Sequence, residues 1–117
     1  MITKVEVHPV WKKDGTLGVR GLASIANRGN VHAKPSGKVK IFKDKTLIDE
    51  KPVGNEKSIF KNSSETFYFD FENVNWEPGK YKAKVLVGLK SYDFWENLEE
   101  DADFTIAEKP EEIKAAE

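Results

Sequence analysis

Between Glu96 and Asp103 the chain places five carboxylates in eight residues: Glu96, Glu99, Glu100, Asp101 and Asp103. Hard oxygen donors at that density are what Ca²⁺ takes, and Glu99, Asp101 and Asp103 are the candidate ligands. The segment lacks the Asp-x-Asp-x-Asp-Gly order of a calcium loop. It also has no glycine after Gly88 to bend the backbone around an ion, so the expected state is a solvated loop without metal. Just upstream stand Tyr92, Phe94 and Trp95, which with Trp11 offer flat apolar surfaces on which sugar rings stack. Cover for the core or edge of a small sandwich is the competing role for the same rings. The two histidines, His8 and His32, lie on or next to turns and there is no cysteine, so neither a His-Glu-x-x-His nor a thiolate zinc site can be assembled. Serines occur in no Gly-x-Ser-x-Gly or Ser-x-x-Lys setting. Gly15, Gly18 and Gly21 are separated by strand residues with no helix after them, so no phosphate loop is present. These residues specify no reaction, and the chain reads as non-catalytic and free of cofactors.

Composition narrows the partners. The 117 residues carry 19 basic and 20 acidic side chains for a net charge of −1, so no global field gathers nucleic acid or an anionic membrane. Nothing resembles a spanning segment, and Met1 to Glu6 alternates in place of a basic and then apolar leader. Asn62-Ser63-Ser64 fits a glycosylation acceptor, which matters only in an exported chain.

The elements that position these side chains are strands. After Trp76, the pair Pro78-Gly79 predicts a type II turn between Glu77 and Lys80. Tyr81, Ala83, Val85, Val87 and Leu89 then alternate with Lys82, Lys84, Leu86 and Gly88, as in a strand with one face on a core. Glu65 to Phe71 puts Phe67, Phe69 and Phe71 on one face, with Trp76 as a lid beyond them. Ile2 to Trp11 reads as a strand whose Pro9 suits a sheet edge. Leu17 to Ala26 reads as a central strand whose small residues admit a close neighbouring layer. Lys34-Pro35-Ser36-Gly37 reads as the end of a long connection leading to a strand over Lys38 to Lys43. Asp44-Lys45 is a tight hairpin into Thr46 to Glu50, and Pro52 breaks the pattern. Ser58 to Phe60 is a short edge piece, Asp103 to Ala107 a last strand, and Glu108 to Glu117 a charged tail, helical or disordered.

Seven or eight short strands with turn signals between them predict an all-β, immunoglobulin-like antiparallel β-sandwich over residues 1–107, followed by the tail at 108–117. Tyr81, just after a Pro-Gly turn, occupies the place of a tyrosine corner, which favours the sandwich over a closed barrel.

Lys38-Val39-Lys40-Ile41-Phe42-Lys43, Asn62-Ser63-Ser64-Glu65-Thr66-Phe67-Tyr68-Phe69, Glu77-Pro78-Gly79-Lys80-Tyr81 and Phe104-Thr105-Ile106 before a Lys/Glu/Ala tail together resemble the membrane-proximal Ig-like domain of the WxL-interacting surface proteins of Gram-positive bacteria. The similarity spans about residues 20 to 117. It departs at Ser91 to Ala102, longer and more acidic here than that family's short hairpin. The resemblance implies a prokaryotic cell-surface or extracellular module, a spacer or adhesion domain that binds a protein partner or neighbouring domains of a longer chain. A cytoplasmic origin stays open, since the residues themselves do not fix the compartment. The alternative reading is a carbohydrate-binding module that takes cell-wall glycan on Trp95, Tyr92 and Phe94. Neither reading calls for nucleic acid or for membrane insertion by this segment.

Overall fold

In a computed structural model that describes residues 1–29, 31–54, 58–90 and 95–110, the chain forms seven strands. They are β1 (Ile2–Trp11), β2 (Leu17–Asn27), β3 (Lys34–Lys43), β4 (Thr46–Val53), β5 (Ser63–Val74), β6 (Gly79–Lys90) and β7 (Trp95–Ile106). All pairings are antiparallel, in a three-stranded sheet ordered β1-β2-β5 and a four-stranded sheet ordered β4-β3-β6-β7. This is the immunoglobulin-like β-sandwich that the strand pattern predicts. In the constant-type arrangement the fourth strand joins the first, second and fifth. Here β4 belongs to the sheet of β3, because Asp44 and Lys45, at φ 49° and 69°, close a two-residue turn of type I′ geometry that folds β4 straight back on β3. Among the described residues no helix is long and apolar enough to cross a membrane.

The core lies between the sheets. Val19, Ala23 and Ile25 of β2 enclose it from one side and Val39, Ile41, Val85 and Val87 of β3 and β6 from the other, all at most 2% exposed. Each of the valines and isoleucines among them, fully buried, contributes about 1.5–3 kcal/mol relative to exposure, before entropy is counted. Phe67, Phe69 and Phe71 fill the layer assigned to them. Gly21 does sit in a close approach, but to a neighbour in its own sheet: a Cβ there would come within 2.1 Å of the Phe69 ring. Beyond Phe71 an aromatic stack continues through Trp76, Tyr81 and Phe104 at centroid separations of 5.2, 6.1 and 5.4 Å. The Tyr81 hydroxyl donates to the Glu77 carbonyl, which makes the tyrosine corner.

Several boundaries differ from the sequence reading. Gly79, at φ 146°, opens β6 and does not serve as the third residue of a type II turn, which needs about +80°. Lys34 to Gly37 belong to β3: Pro35 pairs with Leu89 of β6, while β4 reaches only as far as Gly37, so the missing N–H of Pro35 points where no strand needs it. Pro52 lies inside β4, tolerated because β4 is an edge strand. His8 stands in the middle of β1 opposite Arg20, away from any turn. The last strand begins at Trp95, eight residues before Asp103, so the acidic segment is strand and not loop. Ile59 makes a single bridge to Ala33. Of the tail, residues 108–110 have no regular structure and 111–117 lie outside the described residues.

Met1 and Ala107 sit at opposite poles. The Met1 amino group donates to the Ala26 carbonyl at the pole where β2 finishes. At the other pole the Trp11 indole N–H reaches the Ala107 carbonyl over 3.0 Å, which ties the exit of β1 to the exit of β7.

Candidate functional site: the outer face of the four-stranded sheet

Side chains alternate along each strand of this sheet, so the register decides what faces out. Val39 pairs with Val85 on the core side, which turns Lys34, Ser36, Lys38 and Lys40 of β3 outward. On β6 the same alternation exposes Lys80, Lys82, Lys84 and Lys90, and on β7 it turns out Trp95, Asn97, Glu99, Asp101 and Asp103. The two middle strands therefore carry a band of lysines flanked by acids, Glu50 on β4 and the three outward carboxylates on β7. The near-zero net charge of the chain conceals it.

Two shallow recesses interrupt this face. One, of about 490 Å³, runs across the sheet from Ser36 and Lys38 over Leu86 and Gly88 to Trp95, Asn97 and Glu99. Trp95 supplies its wall. The indole lies over Gly88, where an added Cβ would come within 2.4 Å of the ring, and its N–H donates to Asn97 Oδ1 at 2.8 Å. The ring thus has its one polar atom satisfied and a bare patch of backbone beneath it, while 57% of the residue remains exposed. The second recess, of about 780 Å³, lies nearer the other pole between Phe42, Lys80, Lys82, Lys84, Asp101 and Asp103.

The carboxylates of the calcium reading do not converge. Glu99, Asp101 and Asp103 project from alternate positions of one extended strand, about 7 Å apart along it; the first two meet lysines of β6 and Asp103 stands opposite Lys82 in the register. Lys84 Nζ is 3.1 Å from Glu99 and Lys82 Nζ 4.0 Å from Asp101. The hydrogen bond from Lys84 to Glu99 holds that ammonium above the ordinary lysine value. Among the described residues no group of three His, Asp or Glu side chains is placed to hold a metal ion.

The aromatic group is likewise dispersed. Trp11 lies half-buried at the pole opposite Trp95, so the two cannot share a ligand, and Tyr92 and Phe94 lie outside the described residues. Exposed His8 is 3.6 Å from Glu6, and His32 sits edge-on to Phe60 at 4.6 Å. Ser36, Lys38, Asn97 and Gly88 were not singled out from the sequence, since only the register of β3, β6 and β7 brings them beside Trp95.

Fold and face together define an immunoglobulin-like β-sandwich with a grooved, lysine-banded sheet surface. It is similar to a crystal structure of a protein from Archaeoglobus fulgidus, at a TM-score of 0.58 and 15% identity over 91% of this chain and 98% of that one. At that identity the likeness speaks to fold alone. No protein-family model matches the sequence, and no curated protein does.

Proposed function

We propose that the protein is a non-catalytic Ig-like module of a prokaryotic surface or extracellular protein, which acts as a spacer and protein-binding domain between neighbouring domains. The observation that carries this reading is where the first and last strands leave the sandwich: Met1 is held at one pole by Ala26, and Ala107 at the other by Trp11. Domains joined at these ends would be held apart by the full length of β7, twelve residues or about 37 Å. The sheet-edge devices support the same reading, since a module in a row must not pair with its neighbours. Lys51 Nζ, from the edge strand β4, bonds the Asp70 carbonyl of β5, an edge strand of the facing sheet, and lies 5.3 Å from the Phe71 ring centre. The surface and prokaryotic assignments rest on the resemblance of the strand motifs around Lys38, Asn62 and Pro78.

The test is the small-angle scattering of one, two and three copies joined in tandem. The maximum dimension is expected to grow by about 40 Å with each copy. Copies that fold back on one another, with growth well below that, would sink the spacer reading.

A further inference from the structure

The Trp95 recess has features that a spacer does not use. A tryptophan that only covered Gly88, as cross-strand aromatics do for exposed sheet glycines, would need no fixed polar partner and no open hollow beside it. Here the ring is held twice, by the absent Cβ of Gly88 and by Asn97, and its free side borders a recess floored by Leu86. A flat, immobilised indole presents an apolar face to the C–H face of a pyranose ring. Around it stand groups that bond hydroxyls at fixed directions: the Ser36 hydroxyl, the Asn97 amide and the Glu99 carboxylate. The Asn97 amide nitrogen remains available after its oxygen accepts the indole N–H.

Charge identifies the kind of glycan. Glu99 is partnered by Lys84 at 3.1 Å, whereas Lys38, exposed at the recess, and Lys34 and Lys40 beside it on β3 enter no ion pair among the described residues. The row of cations continues from the recess along β3 and β6, down the sheet rather than across it. It suits an extended polymer whose negative groups recur along its length.

We propose that this face binds an acidic polysaccharide, with one pyranose stacked on Trp95 and the carboxylates of adjoining sugars along Lys38 and Lys40. This inference stands apart from the spacer reading, because it rests on the outer face of a sheet and not on how far apart Met1 and Ala107 lie.

The experiment is calorimetric titration of the whole chain with polygalacturonate, with neutral dextran, poly-glutamate and single-stranded oligothymidylate as separate probes. The expected result is binding to polygalacturonate alone, weakened by added salt. Trp95→Ala should lower that affinity about tenfold or more, the scale of a lost aromatic stacking contact. Lys38→Gln should flatten the salt dependence. Gly88→Ala, which displaces the indole yet adds nothing to the core side of β6, should reproduce the Trp95→Ala loss with Trp95 still present. Unshifted melting curves would show that all three variants fold. No binding to polygalacturonate, equal binding to dextran, binding to poly-glutamate or oligothymidylate with the same Trp95 dependence, or polygalacturonate binding indifferent to Trp95 would each overturn the proposal. The tandem-copy scattering result is unaffected by any of them.

Discussion

At the scale of single residues the core is the most predictable part of the molecule. Phe69, 5% exposed, folds its ring over Gly21. Phe69→Ala would leave a hollow that neither the glycine nor the β-ladder around it can collapse into, so a loss of about 3–5 kcal/mol is expected. A urea denaturation midpoint equal to that of the parent protein would contradict it. Asp14 gives a pH prediction. Its carboxylate accepts the Thr16 hydroxyl at 2.6 Å and the Thr16 amide at 3.0 Å, which holds it below the ordinary aspartate value. A depressed carboxyl contributes stability that is present above its unfolded pKa and is lost as pH falls through the folded one, so the effect belongs to the acid limb below about pH 4. In Thr16→Val the Asp14 carboxyl should titrate at higher pH, read by carbon NMR; an unmoved titration would show that the hydroxyl does not set it. The three phenylalanines were legible because strict alternation leaves them one face. The Trp95 contact was not, since Gly88 and Trp95 are neighbours only through the register of two strands.

Elements were legible to the extent that their two faces differ. β5 and β6 alternate cleanly; β6 was read nearly to its ends, whereas β5, read over Glu65 to Phe71, starts two residues earlier and runs three further. β7 was missed over its first eight residues because Glu96 and Glu100, which the register puts on the core side, remain exposed. The four-stranded sheet is wider than its partner, and no apolar signal marks that uncovered edge. β3 was shortened by reading Pro35 and Gly37 as turn formers, when Pro35 merely sits past the reach of β4. Two expectations follow at this scale. Lys45, at φ 69° in the β3–β4 turn, holds a conformation that glycine adopts without strain. Lys45→Gly should therefore raise stability by about 0.5–1 kcal/mol and the melting temperature by about 2–4 °C. A lower melting temperature would mean that the lysine side chain itself secures the turn. For β7, carboxylates spread along a strand and met by lysines give calcium no cage. Millimolar Ca²⁺ should leave the melting curve in place, and a stabilisation reversed by chelator would require the strand to rearrange.

For the molecule as a whole, the number of alternating segments and the tyrosine corner were enough to give a two-layer sandwich. The sheet to which β4 belongs was implicit in the two-residue hairpin, which admits only β3 as its neighbour. The lysine band could not be foreseen from composition, because equal numbers of opposite charges on the chain say nothing about which strands lie side by side. The placement of Met1 and Ala107 at opposite poles has a mechanical consequence. Tension applied between them acts along β1 and β7, whose hydrogen bonds to β2 and β6 run nearly at right angles to the pull. Those ladders are loaded in shear, and many bonds must yield together. Tension applied instead between Met1 and Ala26, neighbours at one pole, would open the β1–β2 ladder one rung at a time. Single-molecule pulling should find the first geometry markedly stronger than the second at the same loading rate, and equal rupture forces would show that the terminal strands do not carry the load.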